Sequence, residues 1–130
     1  MILGDSSVWI SYLNAKSTQE TEFLESILGK SPIVMPDLVY SEILQGYRED
    51  FVFQETKKFL DEFPFAILGS KELALSSAEN YLFLRKKGIT IRKTIDCYIA
   101  SYCISKNIPL LHSDRDFDPF VEHLGLKSIF

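Results

Sequence analysis

Acidic side chains follow two short apolar segments that lie at opposite ends of the chain. The C-terminal part reads LLHSDRDFDPF, in which Asp114, Asp116 and Asp118 come shortly after an apolar pair. Near the start, Asp5 follows the apolar run ILG. Carboxylates spaced this closely repel one another, so each needs water or a cation nearby. A solvated turn and a metal site are the two kinds of structure that account for such a pattern.

Two further acids lie inside segments with helical periodicity. Glu42, in PDLVYSEILQG, borders the apolar stripe of its predicted helix and should lie at the edge of the core. Asp96 occupies the first turn of the helix predicted for TIDCYIAS, where the helix dipole favours an acid. Taken singly, each position also fits an ordinary structural role as a helix cap, a helix-start acid or an exposed residue.

Short apolar segments alternate with helical patterns along the whole chain. Strands are predicted at residues 1–3, 33–35, 64–68, 109–111 and 127–130. Helices are predicted at about residues 6–13, 18–28, 37–46, 50–62, 70–87, 94–106 and 119–123, with Ser70 and Thr94 as N-caps. This alternation predicts an α/β fold, with a mainly parallel central sheet flanked by helices, in a single domain over residues 1–130.

In a parallel sheet, functional sites form beyond the carboxyl ends of the strands. One edge of the predicted sheet can therefore gather Asp5, Glu42, Asp96 and Asp114. The sequence places no matching set of Lys and Arg beside them, so a divalent cation is the natural counter-charge. Oxygen-only ligands favour Mg²⁺, or Mn²⁺, over zinc.

The length, composition and net charge of the chain restrict the class of protein and the ligands it can bind. The chain has 130 residues, 46% of them hydrophobic and 25% charged, which suits one globular domain. The net charge of −4 provides no general basic field for nucleic acid, so RNA would need a local basic patch. Within RKKGITIRK (85–93), Arg92 and Lys93 are the candidate phosphate contacts, and we favour Arg92.

We expect a reduced, cytoplasmic protein that does not enter the membrane. No apolar run reaches the length of a membrane helix, and the N-terminus lacks the pattern of a secretory signal. Cys97 and Cys103 lie in an apolar helical pattern, where we expect two small core residues without a disulfide.

The ordered set ILGDSSVWI, PDLVYSEILQG, TIDCYIAS and LLHSDRDFD closely resembles the PIN-domain ribonucleases, specifically the VapC-type toxins of bacterial toxin–antitoxin pairs. The resemblance runs over essentially the whole chain. It places Asp5, Glu42, Asp96 and Asp114 on the family's acidic quartet, Asp116 on its frequent accessory acid, and Ser7 where the family has a small hydroxyl residue near the metal. It implies a Mg²⁺-dependent endoribonuclease acting on RNA, a homodimer, and a cognate antitoxin whose C-terminal segment covers the active site.

Residue roles follow from that resemblance as hypotheses. Asp5, Asp96 and Asp114 would bind the metal, while Glu42 and Asp116 would position water that the metal coordinates. Mg²⁺ held in this way lowers the pKa of a coordinated water and neutralises charge in the transition state of phosphodiester hydrolysis.

Two alternatives use the same acids differently. A Mg²⁺-dependent phosphoacceptor or phosphohydrolase domain also gathers aspartates at strand ends, but it places a lysine after a strand, whereas Lys106 precedes the fourth predicted strand here. A non-catalytic interaction module would use the acids only to cap helices.

Overall fold

The computed structural model describes residues 1–130 and contains one parallel sheet covered by helices. Its strands are β1 (Ile2–Gly4), β2 (Ile33–Pro36), β3 (Phe65–Ala66) and β4 (Leu110–Leu111). Its helices are α1 (Ser6–Leu13), α2 (Gln19–Ile27), α3 (Asp37–Leu44), α4 (Asp50–Leu60), α5 (Lys71–Lys86), α6 (Thr94–Lys106) and α7 (Asp118–Leu124). A 3₁₀ turn, Arg115–Phe117, leads into α7.

The strands are arranged in the order β3-β2-β1-β4, and every neighbouring pair is parallel. Leu3, in the central strand, pairs with Val34 on one side and with Leu110 on the other, and its side chain is fully buried. Apolar strands buried on both faces are typical of parallel sheets between helices. The predicted α/β class with a parallel central sheet is confirmed.

Several predicted helix ends are also correct. Ser70 caps α5 by accepting a hydrogen bond from the backbone N–H of Leu73. The same helix stops before Gly88, whose φ of +82° is a left-handed conformation that glycine adopts without strain. The predicted cap at Thr94 is wrong, because Thr94 is the first helical residue and Lys93 occupies the N-cap without a side-chain hydrogen bond.

The predicted last strand, residues 127–130, is wrong as a strand. Only one parallel bridge forms, between Leu110 and Ser128. The ladder cannot extend toward the start of β4 because the N–H of Ile108 is used by the carbonyl of Cys103 at the end of α6. The segment nevertheless lies against β4, since the Leu110 N–H donates to the carbonyl of Lys127 at 2.8 Å.

An aromatic cluster packs beneath the first strand. The fully buried ring of Trp9 makes edge contacts with Tyr12, Phe59 and Phe63. A Cβ atom placed on Gly4 would lie 2.9 Å from Trp9 Nε1, so a glycine is required where β1 meets this ring. The cluster therefore fixes the position at which the chain leaves β1.

Both cysteines, Cys97 and Cys103, are buried and free, as expected of small core residues. None of the helices combines the length and the apolar character that crossing a bilayer requires.

Candidate metal centre

The strand order brings the predicted acids to one edge of the sheet. β1 lies between β2 and β4, so the carboxyl ends of these three strands are neighbours. Asp5 follows β1 directly, and its backbone N–H donates to the carbonyl of Leu111 at 2.9 Å. Asp114 follows β4, and Glu42 lies on α3, the helix that continues from β2. Asp96, in the first turn of α6, completes the group.

The tightest group of carboxylates consists of Asp96, Asp114 and Asp116. One oxygen from each of these three side chains lies within 4.8 Å of the others. Asp116, expected only as an accessory acid, is therefore a member of the central cluster.

Asp96 carries the clearest sign of a missing ligand. The residue is only 6% exposed, and its Oδ2 atom is buried without any hydrogen-bond partner. Buried polar atoms in folded proteins are almost always satisfied, because an unsatisfied one loses its hydration without compensation. A divalent cation suits this oxygen-only set, in which three carboxylates converge and one buried oxygen has no partner. The residues present therefore fit the metal that the fold leads one to expect.

Asp5 and Glu42 lie beside this cluster, and a serine holds each of them. Ser7 Oγ donates to Asp5 Oδ2 at 2.7 Å, and Ser6 Oγ donates to Glu42 Oε1 at 3.0 Å. Asp5 occupies the N-cap position of α1 but forms no side-chain capping hydrogen bond. The backbone N–H groups of Ser6 and Ser7 still lower the pKa of Asp5, so the helix start acts on this carboxylate while the Ser7 hydroxyl holds it.

The acids raise one another's proton affinity. Burial, followed by the charge of Asp5, raises the pKa of Asp96 from 3.8 to about 7. Burial also raises the pKa of Asp5 by more than the hydrogen bond from Ser7 lowers it, and the charge of Asp114 adds to the rise. The pKa of Glu42 is raised by burial and, further, by Asp5. These carboxylates therefore act on one another within one electrostatic environment.

Two cations lie beside the cluster, which is fewer than the acids they face. Lys93 Nζ lies 3.5 Å from Asp114 Oδ2, and Arg92 donates to both oxygens of Asp116 at 3.1 and 3.3 Å. The charges of Asp114 and Asp96 raise the pKa of Lys93. With five acids against these two cations, the edge remains strongly negative when all its groups are ionised.

The preference for Arg92 over Lys93 as a phosphate contact stays a prediction, and the two residues differ in which acids they face. The charge of Lys93 acts on Asp96 and on Glu42 as well as on Asp114, whereas Arg92 pairs with Asp116 alone. Both side chains are largely exposed, at 77% for Arg92 and 62% for Lys93.

Sequence reasoning missed two residues of this region, Ser6 and His112. Neither residue has a spacing in the sequence that points to its partner. In the structure Ser6 holds Glu42, and the buried ring of His112 bonds to the backbone carbonyl of Asp114.

Asp114 also has the structural role that a polar turn would give it. Its Oδ1 accepts a hydrogen bond from the backbone N–H of Asp116 at 2.9 Å and so caps the 3₁₀ turn. For this residue the capping role and a place in the acidic cluster are compatible, because its second oxygen points toward Lys93.

A family profile and similar sequences both relate this chain to one group of proteins. The profile of the PIN domain family matches residues 2–120. The chain is 28% identical to ribonuclease VapC11 of Mycobacterium tuberculosis and to VapC ribonuclease Mb1587 of Mycobacterium bovis, in each case over 98% of this chain and 97% of the relative.

Solved structures of similar fold cover nearly the whole chain. VapBC2 from Rickettsia felis, bound to a DNA fragment from its promoter, is similar with a TM-score of 0.77 and 20% identity over 98% of this chain and 97% of that one. A toxin–antitoxin complex from Klebsiella pneumoniae is similar with a TM-score of 0.70 and 16% identity over 97% of this chain and 95% of that one.

Proposed function

The chain belongs to the PIN domain family, and from that premise we propose that it is a Mg²⁺-dependent endoribonuclease toxin of the VapC kind, hydrolysing phosphodiester bonds in RNA. Two relatives of nearly equal length are named as ribonucleases. The observation that carries the proposal is the buried, unpartnered Oδ2 of Asp96 in a cluster of acids. Three converging carboxylates destabilise a fold unless a cation relieves their repulsion.

Asp96, Asp114 and Asp116 hold the metal in this proposal, and Asp5 borders them. The assignment differs from the expected one, in which Asp5 was a ligand and Asp116 positioned water, because the three clustered oxygens favour Asp116. A bound Mg²⁺ or Mn²⁺ supplies Lewis-acid polarisation of the phosphate and neutralises the charge that develops in the transition state.

Glu42 orients the attacking water and accepts its proton. A general base works best when its pKa lies near the working pH, and burial moves the pKa of Glu42 upward in that direction. The hydrogen bond from Ser6 occupies Oε1 and leaves Oε2 for the water. Ser7 holds Asp5 in the same way, so the serine pair fixes both flanking acids.

Arg92 and Lys93 contact RNA phosphates in this proposal. They are available for those contacts once a metal ion has replaced them as the partners of Asp116 and Asp114. Both side chains are exposed at the mouth of the cluster, and both now pair with the carboxylates that would hold the metal. With a metal on those carboxylates, Arg92 and Lys93 would be free to attract the phosphate backbone of the substrate. Affinity for RNA should accordingly fall as salt rises.

We further propose a homodimer and a cognate antitoxin that neutralises the enzyme. A solved structure of similar fold is a toxin–antitoxin complex. Exposed apolar side chains provide contact area for such partners, including Phe51 at 74% exposed, Ile67 at 61% and Phe65 at 55%.

The test is cleavage of structured RNA by the purified protein with Mg²⁺, with and without a chelator, beside Asp96→Asn. We expect cleavage that the chelator stops, that added Mg²⁺ restores, and that Asp96→Asn reduces by at least about 10³-fold. The matched control is Asp61→Asn, the same change at an exposed acid on the far end of α4, which should cleave as the parent does. Chelator-insensitive cleavage, or full activity in Asp96→Asn, would reject the mechanism.

A further inference from the structure

The ring of His112 joins two segments that meet at the end of β4. Its Nδ1 lies 2.9 Å from the backbone carbonyl of Asp114, and its Nε2 lies 2.9 Å from Ser128 Oγ. The residue is only 8% exposed, and its ring packs at 5.0 Å from that of Phe117. Both ring nitrogens therefore have a defined partner inside the protein.

The partners determine which nitrogen carries the hydrogen in the neutral ring. A backbone carbonyl only accepts, so Nδ1 must donate to the carbonyl of Asp114. Nε2 then carries a lone pair and faces the single hydroxyl hydrogen of Ser128. That hydroxyl also lies 2.9 Å from the carbonyl of Phe130, which keeps Ser128 beside the ring whichever acceptor takes its hydrogen.

Ser128 is itself anchored on the sheet. It forms the parallel bridge with Leu110, and the Ile129 N–H donates to the carbonyl of Leu110 at 3.1 Å. The ring of His112 thus links Ser128, which is held on the sheet, to the backbone carbonyl of Asp114.

We propose that His112 is the positioning residue of the carboxylate cluster, and that it acts by holding the backbone carbonyl of Asp114. The backbone of Asp114 determines where its carboxylate points and, through the Asp116 N–H, where the following turn begins. The Phe117 N–H also donates to this carbonyl, at the longer distance of 3.4 Å, so the ring is its shorter contact and bears on the placement of two of the three clustered acids. The inference rests on the metal centre proposed above, and it adds a residue whose effect is exerted through Asp114.

Binding of Mn²⁺ alone, followed by the loss of its free-ion electron paramagnetic resonance signal, tests this inference without RNA. The discriminating pair is His112→Asn and His112→Gln. The amide nitrogen of Asn can take the position of Nδ1 and still donate to Asp114, whereas that of Gln takes the position of Nε2 and reaches only Ser128. We expect His112→Gln and His112→Ala to weaken Mn²⁺ binding about tenfold or more, and His112→Asn to remain within about threefold of the parent.

A role in packing alone predicts the opposite order, because Asn is smaller than His and leaves a larger void than Gln does. Equal Mn²⁺ affinity in all the variants, or tighter binding by Gln than by Asn, would overturn the proposal. If substitutions at His112 prevent folding, Ser128→Ala decides: a loss of about two- to fivefold in affinity supports the positioning role, and unchanged affinity overturns it.

RNA cleavage by the same proteins separates this inference from the proposed function. A parent that binds Mn²⁺ but cleaves no RNA removes the ribonuclease proposal and leaves the role of His112 to be decided by the Asn and Gln variants. A parent that binds no Mn²⁺ overturns both.

Discussion

Asp61 and Asp96 are aspartates at the ends of two helices, and each has a lysine three or four residues before it in the chain. Asp61, beside the end of α4, is exposed and accepts hydrogen bonds from Lys57 at 2.7 Å and from Tyr40 at 2.9 Å, and these contacts lower its pKa. Asp96, at the start of α6, is buried and has one oxygen without a partner, and its pKa rises to about 7. Burial, and an oxygen that no donor reaches, distinguish Asp96 from Asp61, although both are aspartates that follow a lysine in the chain.

The two aspartates also differ in their effect on the free energy of unfolding. A surface ion pair is largely screened by water and adds little to the free energy of unfolding. A buried, uncompensated charge lowers that free energy, and such a cost persists where function requires it. The following experiments test this contrast, beginning with the largest expected effect.

Removing the charge of Glu42 should affect catalysis most among the flanking acids. We expect Glu42→Gln to lower kcat for RNA cleavage by roughly 10²–10³-fold, because the amide cannot accept a proton. Glu62→Gln, at an exposed acid next to Asp61, is the matched control and should leave kcat unchanged. Single-turnover cleavage provides the measurement, and a Glu42→Gln enzyme within about tenfold of the parent would exclude a proton-accepting role.

Metal affinity should depend on pH because Asp96 must lose its proton before it can bind a cation. With its pKa at about 7, the ionised fraction falls about tenfold between pH 8 and pH 6, and Mn²⁺ affinity should fall by about the same factor. Titration calorimetry at both pH values measures it. An affinity that does not change over this range would show that Asp96 is already ionised at pH 6.

Asp96→Asn should stabilise the metal-free protein at neutral and higher pH. The folded-state pKa of about 7 lies above the ordinary value of 3.8, so the folded protein binds more protons than the unfolded chain between those values. Stability contributed by the protonated form is therefore lost as pH rises from about 4 to about 7. An amide carries no charge, and we expect a gain of roughly 1–3 kcal/mol at pH 8, seen as a Tm higher by several degrees.

The control for this prediction has the opposite expected sign. Asp61→Asn removes an acid whose pKa is lowered by its partners, so it should leave the Tm unchanged or slightly lower it. A lower Tm for Asp96→Asn at pH 8, without metal, would contradict the view that its charge is uncompensated.

The smallest effect is expected from Lys93. Its ammonium competes with a metal for Asp114, so Lys93→Gln should tighten Mn²⁺ binding about two- to fivefold, as expected for an exposed ion pair. RNA binding should weaken in the same variant and become less sensitive to salt. Lys57→Gln, which removes the surface partner of Asp61, should change neither. Weaker Mn²⁺ binding by Lys93→Gln would mean that the lysine supports the site instead of competing for it.

The sequence was sufficient for the fold class and for the expectation that distant acids meet at one edge of the sheet. Apolar runs of strand length between helical patterns predicted the parallel sheet, and sites in such sheets lie at known strand ends. Asp5 and Asp114 could be placed there because each directly follows a predicted strand.

What the sequence could not give was the set of contacts that depend on three-dimensional packing. Arg92 and Lys93 reach Asp116 and Asp114 only because the segment before α6 passes the 3₁₀ turn. The part played by His112 depends on Ser128, whose segment forms a bridge and not the strand that its apolar residues predicted. Contacts of this kind leave no periodicity or spacing in the chain.

The pairing of β1 with β4 has a consequence for synthesis of the protein. Asp5 emerges from the ribosome early, but the strand that lies beside it and the acids that follow that strand are translated last among the parts of the cluster. The acidic cluster therefore cannot assemble before β4 and the 3₁₀ turn have been translated. Any property that depends on the complete cluster therefore requires β4 and the turn that follows it.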